Sequence, residues 1–148
     1  MSDRFEKTID IRAPVERVWR ALTDHVEFGT WFKASIDAPF KAGETATGTI
    51  DGGTLGVFAL SMDIVAIEAP RRFVLAWHPY AIERGVDYSD EPKTTVEFVL
   101  EPVDGGTRVT VTESGFDALP AHRRDEAFRM NGRGWEIQLG NIQRHAEG

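Results

Sequence analysis

The stretch Pro120 to His145, PAHRRDEAFRMNGRGWEIQLGNIQRH, decides how the rest of the chain is read. Phe128, Gly132, Trp135, Leu139 and Ile142 recur at alternating spacings of four and three residues, a period that fits a helix and not a strand. Pro120 suits the start, because its ring fixes φ and its missing N–H is not needed in a first turn. The spacing predicts one long C-terminal helix with a continuous apolar stripe. Gly132 and Gly134 flank Arg133 inside it, and each costs about 1 kcal/mol relative to alanine in a helix interior. Since Gly132 lies on the stripe, two readings stand: a kink or close approach to a sheet, or space kept for a ligand.

A helix of that length needs a partner surface, and the chain is long enough to build one. With 148 residues, 41% of them hydrophobic, residues 1–148 are expected to form a single domain with a sizeable core. The absence of cysteine removes disulfides, thiolate metal sites and a cysteine nucleophile from consideration. The opening MSDRFEKTIDIR lacks the apolar centre of a signal peptide, and no segment reaches the length of a membrane span, so a cytoplasmic location is expected. A formal net charge of -7 repels a phosphate backbone, and the pairs Arg71–Arg72 and Arg123–Arg124 make no basic stripe. Nucleic acid is not an expected partner.

Working outward from the helix, Phe5, Lys7, Ile9 and Ile11 alternate with polar residues as in a strand. Ala13-Pro14 then changes the period, and Val15, Val18, Trp19 and Leu22 form a helical stripe ending near Thr23-Asp24. A second short helix is expected over Val26 to Trp31, and Trp31-Phe32 reads mainly as core. From Ala34 to Ser114 the chain is strand-like, with turn signals at Lys41-Ala42-Gly43, Asp51-Gly52-Gly53, Pro70-Arg71 and Asp104-Gly105-Gly106. Phe58, Leu60 and Met62 share a face, after which Ile64, Val65 and Ile67 break the alternation and point to a bulge. Phe73, Leu75 and Trp77 alternate cleanly, as do Val96, Phe98 and Leu100. Pro79 to Pro92, with Tyr80, Tyr88 and four acids, reads as either a lid or a solvated excursion.

The expected architecture is therefore α+β: a curved antiparallel sheet of about six strands wrapping the C-terminal helix, with two short helices after the first strand. Three stretches also carry a family resemblance: Ile9–Thr23 (IDIRAPVERVWRALT), Glu68–Trp77 (EAPRRFVLAW) and Gly105–Phe116 (GGTRVTVTESGF), together with Gly134-Trp135. The chain resembles the SRPBCC (START-like) superfamily, specifically members similar to the C-terminal domain of the activator of heat-shock protein 90 ATPase. The resemblance implies a helix-grip fold, with a cavity between sheet and C-terminal helix that in such families receives lipids, sterols, polyketides or other apolar molecules. It also brings in a chaperone partner by family name alone.

The sequence offers little for catalysis. His25, His78, His122 and His145 are scattered, with no i, i+4 pair, so no metal is expected; no nucleophile elbow, phosphate-binding loop or dinucleotide fingerprint occurs, so no cofactor is expected. His78 follows Trp77 and should point away from the core. Strand parity places Glu113 inward beside Val109 and Val111, where a carboxylate needs a partner: water, an arginine such as Arg123, or the helix N-terminus. Alternatively Glu113 orients a ligand or acts as a base.

Two function classes follow. The first is a binding module, a carrier or stress-related protein whose cavity is formed by Trp31, Phe58, Met62, Trp77, Tyr80, Phe98, Glu113, Phe128, Gly132 and Trp135 and takes a small apolar molecule. The second is an enzyme of the cyclase, dehydratase or hydrolase kind, with Glu113, His78 or Tyr80 as acid or base; it needs two converging titratable groups, and the sequence supplies one inward candidate, so no catalytic residue is assigned. The sequence leaves open whether the chain forms a homodimer.

Overall fold

Alternation at the N-terminus becomes strand β1 (Arg4–Ile11), whose side chains alternate between exposed and half-buried until Ile11 enters the core. The computed structural model describes residues 3–83 and 85–148. After Pro14 the chain turns into α1 (Val15–Thr23), which buries Val18, Ala21 and Leu22. Asp24 then separates two helices that would otherwise run together. Its side chain accepts hydrogen bonds from the N–H groups of Val26 and Glu27 and so caps α2 (His25–Phe32), satisfying donors that the first turn cannot use internally. Lys33, at φ 64°, ends α2 in the left-handed region.

The meander follows as β2 (Ala34–Ile36), β3 (Thr45–Asp51), β4 (Val57–Glu68), β5 (Arg72–Trp77), β6 (Thr94–Val103) and β7 (Gly106–Ser114), and α3 (Ala121–Glu147) closes the fold. All neighbours are antiparallel, in the order β1-β7-β6-β5-β4-β3-β2. The architecture is the expected α+β helix-grip arrangement, an open curved sheet around a long helix. The sheet has seven strands where about six were expected. The added one is β2, whose three residues are too few for an alternation to be read from the sequence. The expected bulge in β4 is present as a register shift between Ile64 and Ala66 against β5.

The core lies between the sheet's inner face and α3. Trp135 reaches across to β5 and β6, with its ring 5.8 Å from that of Trp77 and 5.4 Å from that of Phe98. From the other side α2 inserts Phe28, Trp31 and Phe32, and Phe32 lies 5.9 Å from Trp135. The buried stripe of α3 is Ala127, Gly132, Trp135, Leu139, Ile142 and Ala146. Phe128 departs from the expected stripe. It is half-buried and packs with Phe5 and Phe116 in a separate small cluster beside the start of α3, whose buried members include Ala127.

Candidate functional site

Glu113 is fully buried, as its parity on β7 requires, and its carboxylate collects donors from three other elements. Thr94 at the start of β6 donates its hydroxyl to Oε2 at 2.6 Å, and Trp77 at the end of β5 donates its indole N–H to the same oxygen at 2.9 Å. Trp135 on α3 donates its indole N–H to Oε1 at 2.9 Å, and the Asn131 amide sits 3.1 Å from both oxygens. Every one of these donors is neutral. Burial pushes the Glu113 carboxyl above its ordinary value, and the bonds from Thr94, Trp77, Trp135 and Asn131 oppose that rise. The sequence pointed to Arg123, water or the helix terminus as the partner; the partners are two indoles, an amide and a hydroxyl.

Two of those donors, Trp77 and Asn131, also line a groove of about 850 Å³. Its apolar wall is β4, through Val57, Phe58 and Leu60, with Ile50 beside them on β3. The opposite wall is the segment joining β5 to β6, through Tyr80, Ala81, Ile82, Val86 and Tyr88. Phe58 and Leu60 share one face of β4 and are half-buried there.

The loop wall is fastened to α3 by one side chain. Arg123 donates from Nε to Glu91 Oε1 at 2.8 Å and from Nη1 to the Tyr80 carbonyl at 3.1 Å, and its guanidinium lies 4.7 Å from the centre of the Tyr88 ring. The pair is largely sequestered, with Arg123 10% and Glu91 17% exposed. Tyr80 holds φ at 50°, which a bulky residue rarely adopts, and its carbonyl is the one Arg123 fixes. His78 Nε2 lies 3.0 Å from the Glu91 carbonyl, and because a carbonyl only accepts, that nitrogen carries the proton. Lys93 pairs with Asp63 at 2.5 Å and holds the Asp63 carboxyl below its ordinary range. Among the described residues no three His, Asp or Glu side chains converge as a metal would require.

The residues singled out from the sequence thus separate into three places. Phe58, Trp77 and Tyr80 line the groove, and Glu113 sits directly behind Trp77 and Asn131. Trp31, Met62, Phe98 and Trp135 are closed core, each 3% exposed or less. Gly132 and Phe128 are elsewhere. A Cβ on Gly132 would lie 3.9 Å from the Phe5 ring and from Lys7 Cε, so this glycine faces β1 rather than the groove. Leu60 and Asn131 were the residues passed over. Leu60 shares the alternation of Phe58, while Asn131 is a polar residue beside a helical stripe and carries no signal until the fold brings it to Glu113. His78, expected to point away from the core, is half-buried at the strand end and also lines the groove. A second cleft of about 500 Å³, lined by Asp10, Arg12, Asp104, Gln143 and Glu147 among others, is polar and shallow in chemistry.

No helix among the described residues is long and apolar enough to cross a membrane. The model of the family described as "Activator of Hsp90 ATPase homolog 1-like protein" matches residues 12–147. No curated protein matches the chain significantly. Among solved structures, DynU16 from the dynemicin biosynthetic locus is similar over 99% of this chain, with TM-score 0.77 and 22% identity; this chain spans about half of it, 48%. CV1439 from Chromobacterium violaceum is similar over 100% of this chain and 99% of its own, with TM-score 0.78 and 17% identity. CalU16 from Micromonospora echinospora is similar over 97% of this chain and 75% of its own, with TM-score 0.68 and 22% identity. At these identities the likeness is one of fold.

Proposed function

Because this chain belongs to the Activator of Hsp90 ATPase homolog 1-like family, we propose that it binds a small apolar molecule in the groove between β4 and the β5–β6 loop, as a carrier or sequestering protein. The observation that carries this reading is the groove itself. Its volume of about 850 Å³ falls within the range of small-molecule sites, and its walls are mainly aliphatic and aromatic with a few polar groups at fixed places. Within it Val57 and Val86 remain more than two-fifths exposed, an apolar rim that burial of a ligand would shield. DynU16, similar in fold, is described as a putative protein in the dynemicin biosynthetic locus, which accords with a small-molecule role.

A catalytic reading finds less support. Glu113, the inward carboxylate, is engaged by four donor side chains and has no accessible surface, so it does not reach a reacting atom from where it stands. The test of the binding reading is titration of wild type and Leu60→Glu with N-phenyl-1-naphthylamine, whose fluorescence rises in an apolar site. Wild type should bind, and the charged variant, still folded by near-ultraviolet circular dichroism, should bind at least tenfold more weakly. A wild-type protein that leaves the probe dark, or a variant that binds it equally well, rules the groove out.

A further inference from the structure

We propose that the groove selects apolar molecules that end in a hydrogen-bond donor, a hydroxyl or an N–H, and that Asn131 Oδ1 receives this donor in an orientation imposed by Glu113. The inference rests on the groove being the binding site and adds the polar chemistry of what it binds.

Trp77 and Trp135 can only donate through their indole nitrogens, and both aim at Glu113. Thr94 aims its hydroxyl there as well. The amide nitrogen of Asn131 lies 3.1 Å from both carboxylate oxygens, and the reverse placement would set the amide oxygen against a carboxylate with no proton between them. Glu113 therefore fixes which end of the amide faces inward. The other end, Oδ1, accepts no hydrogen bond among the described residues, and it is not among their buried, partnerless polar atoms, so it remains accessible. Asn131 lines the groove, and Oδ1 is the part of the amide left to serve it.

Two other polar groups of the groove are already engaged. His78 Nε2 is engaged by the Glu91 carbonyl, and the Lys93 ammonium is held by Asp63. A ligand hydroxyl or N–H placed at Asn131 replaces the water it gives up. An ether, ketone or carboxylate placed there loses its water and meets a second acceptor, the arrangement that discriminates most strongly between close analogues. The bond is also polarised from behind, since the Asn131 amide is itself donating to a carboxylate. Glu113 is in this sense a positioning residue: it touches no ligand and sets the polarity of the atom that does.

The experiment compares 2-naphthol with 2-methoxynaphthalene, which share a ring system and differ by a donor against an added methyl. Burial alone favours the ether by about fourfold. Dissociation constants from fluorescence titration should instead show 2-naphthol binding wild type about 3- to 10-fold more tightly. In Asn131→Leu the acceptor is gone and the ether should bind more tightly. In Glu113→Gln the amide introduced opposes the Asn131 amide, which relieves the conflict by turning over, and the preference should fall to parity or reverse. Asn131→Leu decides the matter if Glu113→Gln proves unfolded in a thermal melt. Equal binding of the two compounds to wild type, or a ratio unchanged in Asn131→Leu, overturns the inference while leaving the groove as a binding site. Failure of both compounds to bind wild type removes the groove reading as well.

Discussion

The indole N–H groups of Trp77 and Trp135 converge on one carboxylate, Trp77 at Oε2 and Trp135 at Oε1 of Glu113, each at 2.9 Å, while their rings stack with centroids 5.8 Å apart. The stacking fixes the two rings relative to each other, and the carboxylate fixes both relative to β7. Sheet and helix are thereby joined by directed bonds as well as by apolar contact.

Removing the carboxylate should expose that dependence. Glu113→Ala leaves two indole donors, a hydroxyl and an amide facing a cavity, and each unsatisfied buried donor costs about 1–3 kcal/mol before water enters. A net loss of about 3–5 kcal/mol is expected in urea unfolding, with Glu113→Gln losing less because an acceptor oxygen remains. A loss below about 1 kcal/mol for the alanine variant would mean that the donors find other partners.

Trp135 should be the costliest single truncation on α3. It is 3% exposed and meets the rings of Trp77, Phe32 and Phe98 within 6 Å. Trp135→Ala is expected to lose about 3–5 kcal/mol. Trp135→Phe separates packing from hydrogen bonding, since it keeps an aromatic ring and loses the N–H. If both variants cost the same, the bond to Glu113 and not the ring carries the energy.

Gly132 faces the Phe5 ring at ordinary van der Waals distance. Gly132→Ala should therefore gain up to about 1 kcal/mol from helix propensity, whereas Gly132→Leu pushes into Phe5 and Lys7 and should lose about 1–3 kcal/mol. Neither change should alter probe binding by more than about twofold, a shift of about 0.4 kcal/mol. Loss of binding in a stable Gly132→Ala protein would return this glycine to the ligand site.

Acid stability should depend on Glu27. Burial alone would raise its carboxyl, but hydrogen bonds from His145, Arg17 and Arg20 and the Arg17 charge outweigh it and bring the group down to about 2 from 4.5. A carboxyl depressed in the folded state contributes stability above its ordinary value and loses it as pH falls, here between 4.5 and about 2. Burial raises the Glu113 carboxyl in the folded state, so its linkage has the opposite sign and acts above its ordinary value of 4.5, not in the range where Glu27 loses its contribution. Thermal melts from pH 5 to 2 should fall more steeply for wild type than for Glu27→Gln. Parallel curves would remove Glu27 from the acid transition.

Arg123 should govern the mobility of the groove's loop wall. Arg123→Ala releases the Tyr80 carbonyl, the Tyr88 ring and the Glu91 carboxylate together. Amide exchange at Val86 and Glu91, whose N–H groups bond within the loop, should accelerate at least tenfold while β7 stays protected. Unchanged exchange at both would show that the loop holds itself.

Local period carried most of the fold. The alternations through Phe73 to Trp77 and Val109 to Glu113, and the spacing of Gly132, Trp135, Leu139 and Ile142, each describe a face, and each face is where the period puts it. Burial of Glu113 was legible for the same reason. Its partners were not, because Trp77, Thr94, Asn131 and Trp135 come together only through strand order and helix docking, which no local pattern encodes. Gly132 shows the same limit: periodicity states that it is buried, and only the path of β1 states against what. The groove was half legible, since Phe58, Trp77 and Tyr80 carry aromatic area, while Leu60 and Asn131 matter by position.

The strand order has a consequence for how the chain comes to be folded. β1 and β2 follow one another in sequence and lie at opposite edges of the sheet, and β1 pairs only with β7. β1 therefore has no strand neighbour until β7 has been made, and Arg4 must find Ser114 across five intervening strands. Loop closure on that scale costs entropy before any pairing offsets it, whereas β2 to β7 pair with sequence neighbours and close on shorter loops. Until β7 is synthesised, the apolar side of β1 has to be kept from other chains, so the nascent chain is exposed to misassembly along this strand.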